Sequence, residues 1–291
     1  MAEQNQLVTS TIAKSDDGTI QINFNFPWPI VTAEEKKVLD KEKEVVTVQG
    51  FRKGMAPIEK VRQAIPKEKL VEKILQNVLP KALSEAIGKF KITPALYPKF
   101  ELISANDNET WQVRTTTCEL PTVELGNYKK AIEQEAKSRV IWTPDKGKDA
   151  PKETSQQEKE EAVLKVLLSS VKINIPKILI EEEVNTKLSR LLEKIEKLGL
   201  SLDAYLNSIG KDVKSLREEY TKQAEESLKI ELILNKIAAE ENIQIKEKEI
   251  EETLKALTSG SQTQEVHPEQ KQLIASVLKR REALAQLTKL V

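Results

Sequence analysis

Between Thr19 and Phe26, Ile20, Ile22, Phe24 and Phe26 alternate with polar residues, the period-two pattern of a strand with one buried face. Leu7 to Lys14 is a second extended stretch, and Asp16-Asp17-Gly18 between the two supplies a hairpin turn. Pro27 and Pro29 end the strand, and Thr32 with Glu35 forms a T-x-x-E capping box that opens a charged helix to about residue 44. After Pro66, the residues Leu70, Val71, Ile74, Leu75, Val78, Leu79, Leu83 and Ile87 recur at helical spacing, ending near Gly88. Residues 90–120 return to extended character around the turn-rich Ser104 to Asn108. There Trp111, Val113, Thr115 and Thr117 alternate with Gln112, Arg114, Thr116 and Cys118, and Pro121 closes the hairpin. The pattern predicts an α+β N-terminal domain, an antiparallel sheet built from both ends of the segment with long helices between them.

Residues 143–160 contain almost nothing to bury and read as a linker. From Thr154, with Gln157 as a capping partner, the pattern is helix after helix. Breaks fall at Ile173 to Pro176, Gly199 to Ser201, Gly210 to Asp212, Asn242 to Gln244, and the polar stretch Thr258 to Pro268. Val184, Leu188, Leu191, Leu192, Ile195 and Leu198 form one stripe. Leu228, Ile230, Leu232, Ile233 and Ile237 belong to another helix of roughly 28 residues. The second part is therefore expected to be an all-α, elongated helical domain. The expected division is 1–128, a linker over 129–153, and 154–291.

Composition narrows the function. Lys and Arg number 46 and Asp and Glu 46, so the net charge is zero, which excludes a general nucleic-acid binder with a basic excess over a whole domain. The excess is local. Residues 50–69 hold six cations, Arg52, Lys53, Lys60, Arg62, Lys67 and Lys69, against Glu59 and Glu68, a patch suited to steering one anionic surface. A single cysteine, no long apolar run and a polar N-terminus point to a reducing cytoplasm and no membrane. Aromatic residues are 4% and glycines number 9, as in a mostly helical protein with an aliphatic core.

The most informative segment is Gly50-Phe51-Arg52-Lys53-Gly54-Met55-Ala56-Pro57. A glycine at each end frees the backbone to take positive φ, so one aromatic and two cations are presented on a tight projection. Phe51 suits an apolar pocket or a base face, and Arg52 and Lys53 suit phosphate or acidic protein surface. The bland alternative is an ordinary interhelical turn with solvated cations. Elsewhere the ordinary readings prevail. His267, the lone histidine, has no Cys or second His for a metal site. The acidic runs Glu181 to Glu183 and Glu247 to Glu249 read as solvated helix faces. Trp28, Trp111 and Trp142 read as packing residues, and Cys118 as a half-buried strand residue with no His or Lys close in sequence to make a thiolate. No G-x-x-x-x-G-K-[ST] loop occurs. No catalytic residue, cofactor or metal site is expected.

The order of parts resembles the trigger factor family of bacterial ribosome-associated chaperones. Gly50, Phe51, Arg52, Lys53, Gly54 and Pro57 match that family's Gly-Phe-Arg-x-Gly-x-x-Pro loop, with Met55 where the family usually has lysine. Glu119 to Leu125 followed by Tyr128 resembles the segment closing its N-terminal domain. Ile175-Pro176, Leu202 to Leu206 before Gly210, Leu216-Arg217 with Ala224, and Leu232 to Leu234 leading to Ile237-Ala238 resemble its helical domain. The resemblance implies an ATP-independent chaperone that docks at the ribosomal tunnel exit, on protein and RNA, and shields nascent or unfolded polypeptides. It assigns ribosome binding to Gly50, Phe51, Arg52, Lys53 and Gly54. It also implies a helical cradle for clients, and which apolar faces take them stays open, as does a homodimer that hides the cradle. Family members usually insert a prolyl isomerase domain, which needs on the order of 90 residues; residues 129–175 are too few, so that domain is expected to be absent and the protein not to be an enzyme. The readings from other classes are a prolyl isomerase with a highly reduced catalytic module, and a ribosome-independent holdase or scaffold.

Overall fold

The computed structural model describes residues 7–139, 155–258 and 268–290. Trp142, His267 and most of the expected linker lie outside them. The chain divides into two compact units. One runs to Leu120 and includes Pro176–Ile178; the other holds Pro121–Ile175 and the chain from Leu179 onward.

Unit one carries an antiparallel sheet of β1 (Thr9–Lys14), β2 (Thr19–Phe26), β3 (Lys99–Ser104) and β4 (Trp111–Cys118) in the order β1-β2-β4-β3. The β1–β2 turn is held by the Asp17 carboxylate, which accepts from the Thr19 backbone N–H at 3.0 Å. Gly18 is required there twice over. Its φ is +84°, and a Cβ would stand 3.2 Å from Pro176 Cγ. The alternation predicted for β2 and β4 holds: Ile20, Ile22, Phe24, Phe26, Trp111 and Val113 are buried and face α1 (Trp28–Lys43), α2 (Ile58–Ala64) and α3 (Lys67–Phe90), whose Val31, Val38, Val61, Leu70 and Ile74 complete one core. Cys118 is fully buried rather than half-buried, and burial pushes its thiol pKa up.

Several expected boundaries move. Thr32 does not cap α1, because the helix already starts at Trp28, after Pro27 and with proline in its first turn. The Thr32 hydroxyl instead donates to the Trp28 carbonyl one turn back at 2.8 Å, and Glu35 is buried and paired with Arg62 at 2.7 Å. Helix α3 runs past Gly88 to Phe90, which is therefore not strand, and ends on Lys91 in the left-handed region.

Unit two comprises α4 (Tyr128–Arg139), α5 (Gln156–Ser170), α6 (Lys177–Lys197), α7 (Leu202–Ile209), α8 (Val213–Glu240), α9 (Glu247–Thr258) and α10 (Pro268–Thr288), of which α6 begins within unit one. The start of the expected linker is thus helical, and of the segment expected to close the first domain the part from Pro121 onward lies in unit two: Leu125, Tyr128 and Ile132 are buried with Val163 and Leu167 of α5, Ile233 and Ile237 of α8, and Ala283 and Leu287 of α10. The Tyr128 hydroxyl donates to Glu241 at 3.2 Å and Lys129 pairs with the same carboxylate at 2.6 Å. Helix α5 is opened by a capping box of Ser155 and Glu158, one residue beyond the expected pair. Ser201 and Asp212 cap α7 and α8. Lys187 of α6 donates to the Ser227 hydroxyl of α8 at 3.0 Å. The predicted α6 stripe divides: Val184 and Ile195 are buried, while Leu192 and Leu198 are exposed.

Two buried threonines on β4 differ in one respect. Thr117 donates to the Leu96 carbonyl at 3.0 Å, whereas the Thr115 hydroxyl has no partner among the described residues. Thr115→Val should therefore leave stability unchanged or raise it by up to about 1 kcal/mol, and Thr117→Val should lower it by about 1 kcal/mol, as read by urea unfolding. Glu119 accepts from the Thr93 backbone N–H at 3.0 Å and from Lys14 at 3.1 Å, and these bonds hold its carboxyl below the ordinary value. A folded-state pKa below the unfolded one means that this stabilisation is complete above the ordinary glutamate value and is lost as pH falls through the lower, folded value. Glu119→Gln should accordingly flatten the loss of unit-one stability between about pH 5 and pH 3, measured by urea midpoints across that range.

Candidate functional site

Residues 44–57 connect α1 to α2 and contain the segment singled out above. Two consecutive turns shape it. The Phe51 N–H donates to the Val48 carbonyl at 3.1 Å, and the Met55 N–H to the Arg52 carbonyl at 3.0 Å. The third residue of each turn is glycine, with φ +86° at Gly50 and +82° at Gly54, the positive value that a type II turn demands at that position. No atom lies within 4 Å of where either Cβ would stand, so the requirement is one of backbone conformation and not of space.

The loop is fastened at both ends. The Gly54 N–H donates to the Lys43 carbonyl at 3.1 Å, using an acceptor that the last turn of α1 leaves free. Ala56 is buried in the unit-one core, and Pro57 then opens α2. Between these anchors Phe51 is 42% exposed, and Arg52 and Lys53 are exposed. All five residues assigned to this site by sequence stand together in one projection.

Neither Arg52 nor Lys53 makes an ion pair among the described residues, whereas other charges of unit one do. Glu42 holds Lys73 at 2.5 Å, Glu35 holds Arg62 at 2.7 Å, and Asp107 holds Arg62 at 3.4 Å and Lys67 at 3.1 Å. Two of the six cations counted between residues 50 and 69 are thus neutralised. The unpaired positive charge is concentrated on the loop and on Lys60 and Lys69.

Three exposed apolar side chains in this segment escaped the sequence reading as part of the site: Val45 at 66%, Met55 at 73%, and Ile58 at the start of α2. Their signal was available, since each is a large apolar residue in or beside an otherwise polar connection. Met55 presents its apolar side chain to solvent at the tip. The projection presents an aromatic ring and two cations to solvent. Among the described residues no group of His, Cys, Asp and Glu is arranged to hold a metal, and no helix is long and apolar enough to cross a membrane.

Residues 8–145 match the family model described as bacterial trigger factor protein, and residues 145–289 match the model of its C-terminus. The two matches meet at residue 145 and leave no stretch between them for a further domain. Curated relatives named trigger factor include one from Limosilactobacillus reuteri (strain DSM 20016), 34% identical over 120 residues, which are 41% of this chain and 27% of that one. Another, from Thermoanaerobacter sp. (strain X514), is 35% identical over 108 residues, or 37% and 25% of the two chains. That of Lactiplantibacillus plantarum is 32% identical over 152 residues, or 52% and 34%. The chain spans about a quarter to a third of the length of these curated relatives. A solved structure from work on promiscuous substrate recognition in folding and assembly activities of the trigger factor chaperone shares the fold, with TM-score 0.65 and 13% identity over 97% of this chain and 99% of that one.

Because the glycines of the loop answer to backbone conformation alone, Gly54→Ala should destabilise the loop by about 1 kcal/mol and leave the core intact. Hydrogen exchange at the residue-54 amide should accelerate about fivefold, with exchange in β2 and β4 unchanged.

Proposed function

The chain belongs to the trigger factor family, and from that premise we propose that it is an ATP-independent molecular chaperone that docks at the ribosomal tunnel exit and shields nascent or unfolded polypeptides. The observation that carries the docking half is the loop itself: two glycine turns hold Phe51 outward beside two cations that no carboxylate of the described chain neutralises. A guanidinium that leaves water to meet a phosphate or carboxylate contributes about 1.5–3 kcal/mol. Burying the exposed part of Phe51 adds on the order of 1 kcal/mol. In this reading residues 1–128 contain the ribosome-binding part and residues 154–291 the client-binding part, with 129–153 standing where relatives carry an isomerase domain. The protein then acts by binding alone, with no chemical step, in the cytoplasm where ribosomes and nascent chains are found.

The chaperone half is supported by exposed aliphatic side chains on unit two. Leu198, Leu200, Ile209 and Val213 are exposed around the α6–α7 and α7–α8 turns, and Leu273 and Val277 on α10. Surrounding charge keeps such surface soluble while leaving it free for an unfolded chain. Weak contacts of this kind release a client when its own folding buries the same side chains.

Co-sedimentation with vacant ribosomes tests the docking assignment. Binding should approach one copy per ribosome, weaken as salt rises, and fall at least about 100-fold when Phe51, Arg52 and Lys53 are all replaced by alanine, with helicity by circular dichroism unchanged. Retained binding by that variant would overturn the assignment. Absence of binding by the unaltered protein at low salt would favour a ribosome-independent holdase.

A further inference from the structure

The edge of the unit-one sheet formed by β3 is open in an unusual way. The register sets Phe100 and Leu102 opposite Thr115 and Val113, on the face that the helices cover, yet the two side chains are 50% and 46% exposed. Lys99 and Glu101 alternate onto the other face, where Glu101 pairs with Arg114 at 3.5 Å. Charges that would ordinarily protect an edge strand therefore stand on the side away from its apolar surface. The opposite edge, β1, carries threonine, serine, alanine and lysine, and its one large apolar residue, Ile12, packs on the core. On β3 a bulge between Leu102 and Ser104 interrupts the ladder, so the regular run offered to a partner is Lys99–Leu102.

Beside this run lies an open groove of about 550 Å³, floored by Val71, Leu75, Leu102 and Ala105. Its rim holds Lys67, Glu68 and Glu72. Lys67 is neutralised by Asp107 at 3.1 Å, whereas Glu68 and Glu72 make no ion pair among the described residues, which leaves the rim negative.

We propose that β3 and this groove take an extended segment of an unfolded polypeptide, added to the sheet as a fifth strand, with alternate apolar side chains on Phe100, Leu102 and Val71 and a lysine or arginine against Glu68 and Glu72. Main-chain groups along the outer side of β3 select an extended partner over a helical one, since only an extended chain offers its own N–H and C=O in register. Main-chain pairing is also indifferent to sequence, as a receptor for unfolded chains requires. A second copy of this protein fits worse, because joining two such edges brings two negative rims together. The inference rests on the chaperone reading for the source of such segments, but it uses neither the docking loop nor unit two.

The test uses the full chain and a labelled ten-residue peptide in which valine and phenylalanine alternate with threonine around one central lysine. Fluorescence anisotropy should show binding, and hydrogen exchange should show added protection at residues 99–102. Phe100→Thr/Leu102→Thr, which keeps strand-favouring side chains at exposed positions, should weaken binding at least tenfold, and so should N-methylation of alternate peptide bonds. Glu68→Gln/Glu72→Gln should weaken it about threefold and abolish the preference over a peptide with glutamate in place of lysine. Equal binding of the N-methylated peptide, or no effect of the β3 variant, overturns the proposal. Concentration-dependent self-association that the β3 variant abolishes, without peptide protection, also overturns it and assigns the edge to a second copy. Should the unaltered protein keep a denatured protein from aggregating while residues 99–102 stay unprotected, this inference alone fails; if it suppresses no aggregation, the chaperone reading fails.

Discussion

Everything in unit one depends on the pairing of β2 with β4, two strands more than eighty residues apart in sequence. Eight consecutive pairs, from Thr19 opposite Cys118 to Phe26 opposite Trp111, set Ile20, Ile22, Phe24 and Phe26 beside Trp111 and Val113 on one face. That pairing turns the chain between them into a closed excursion that must cover this face and return. Helices α1, α2 and α3 do so, and the tip of the 44–57 connection between the first two is left at the margin, where it is exposed. That tip, from Gly50 to Met55, is therefore held by a core it does not enter, through Ala56, Val46 and Val48 and the Gly54 bond to Lys43. A non-local contact of this kind carries a high entropic cost of closure, and the long apolar rows on β2 and α3 are what offset it.

The electrostatics of the loop follow from the same arrangement. Glu35 is drawn inward by α1 and meets Arg62 from α2; Glu42, at the end of α1, meets Lys73 from α3. Both pairs tie helix to helix. The neutral composition of the chain thus hides a local imbalance, created by which charges the fold lets meet. An ion pair formed by such cations in full contact with water contributes little, and one that is partly buried and hydrogen-bonded contributes more.

Where the pattern along the chain was strong, the elements could be read from it: the period-two rows of β2 and β4 and the 28-residue α8. Helix α4 escaped because residues 129–139 hold a single large apolar side chain, Ile132, too little for a stripe; the helix exists because Ile132 and Tyr128 dock on α5 and α8, which is tertiary information. Thr32 with Glu35, and Thr154 with Gln157, both satisfy the local capping pattern, yet the first lies inside a helix begun by prolines and the second is one residue from the pair, Ser155 and Glu158, that closes the box. Local patterns find the neighbourhood of a helix start and not its residue. The Gly50–Gly54 projection was legible because two glycines flank a charged, aromatic triplet. The open β3 edge was not, since its exposure follows from strand order, and nothing in Lys99 to Ser104 says which strand lies outermost.

The energetics of holding without nucleotide bear on how the exposed apolar residues are distributed. On the proposed reading, covering the exposed part of a leucine or isoleucine yields about 1 kcal/mol, so the four residues around the α6–α7 and α7–α8 turns together supply roughly 4 kcal/mol, a dissociation constant near 1 mM. No such patch retains a client alone. Two patches on one chain, engaged by different segments of the same client, gain only as far as the effective concentration that linkage creates exceeds the millimolar dissociation constant of the second patch, so holding needs several patches, while each contact still breaks quickly by itself. A single deep pocket of equal total affinity would release slowly and would need an input of energy to reset. Exposed side chains scattered in small groups, on helix turns in unit two and on a strand edge in unit one, give up a client piece by piece as each of its segments finds a better partner within its own fold.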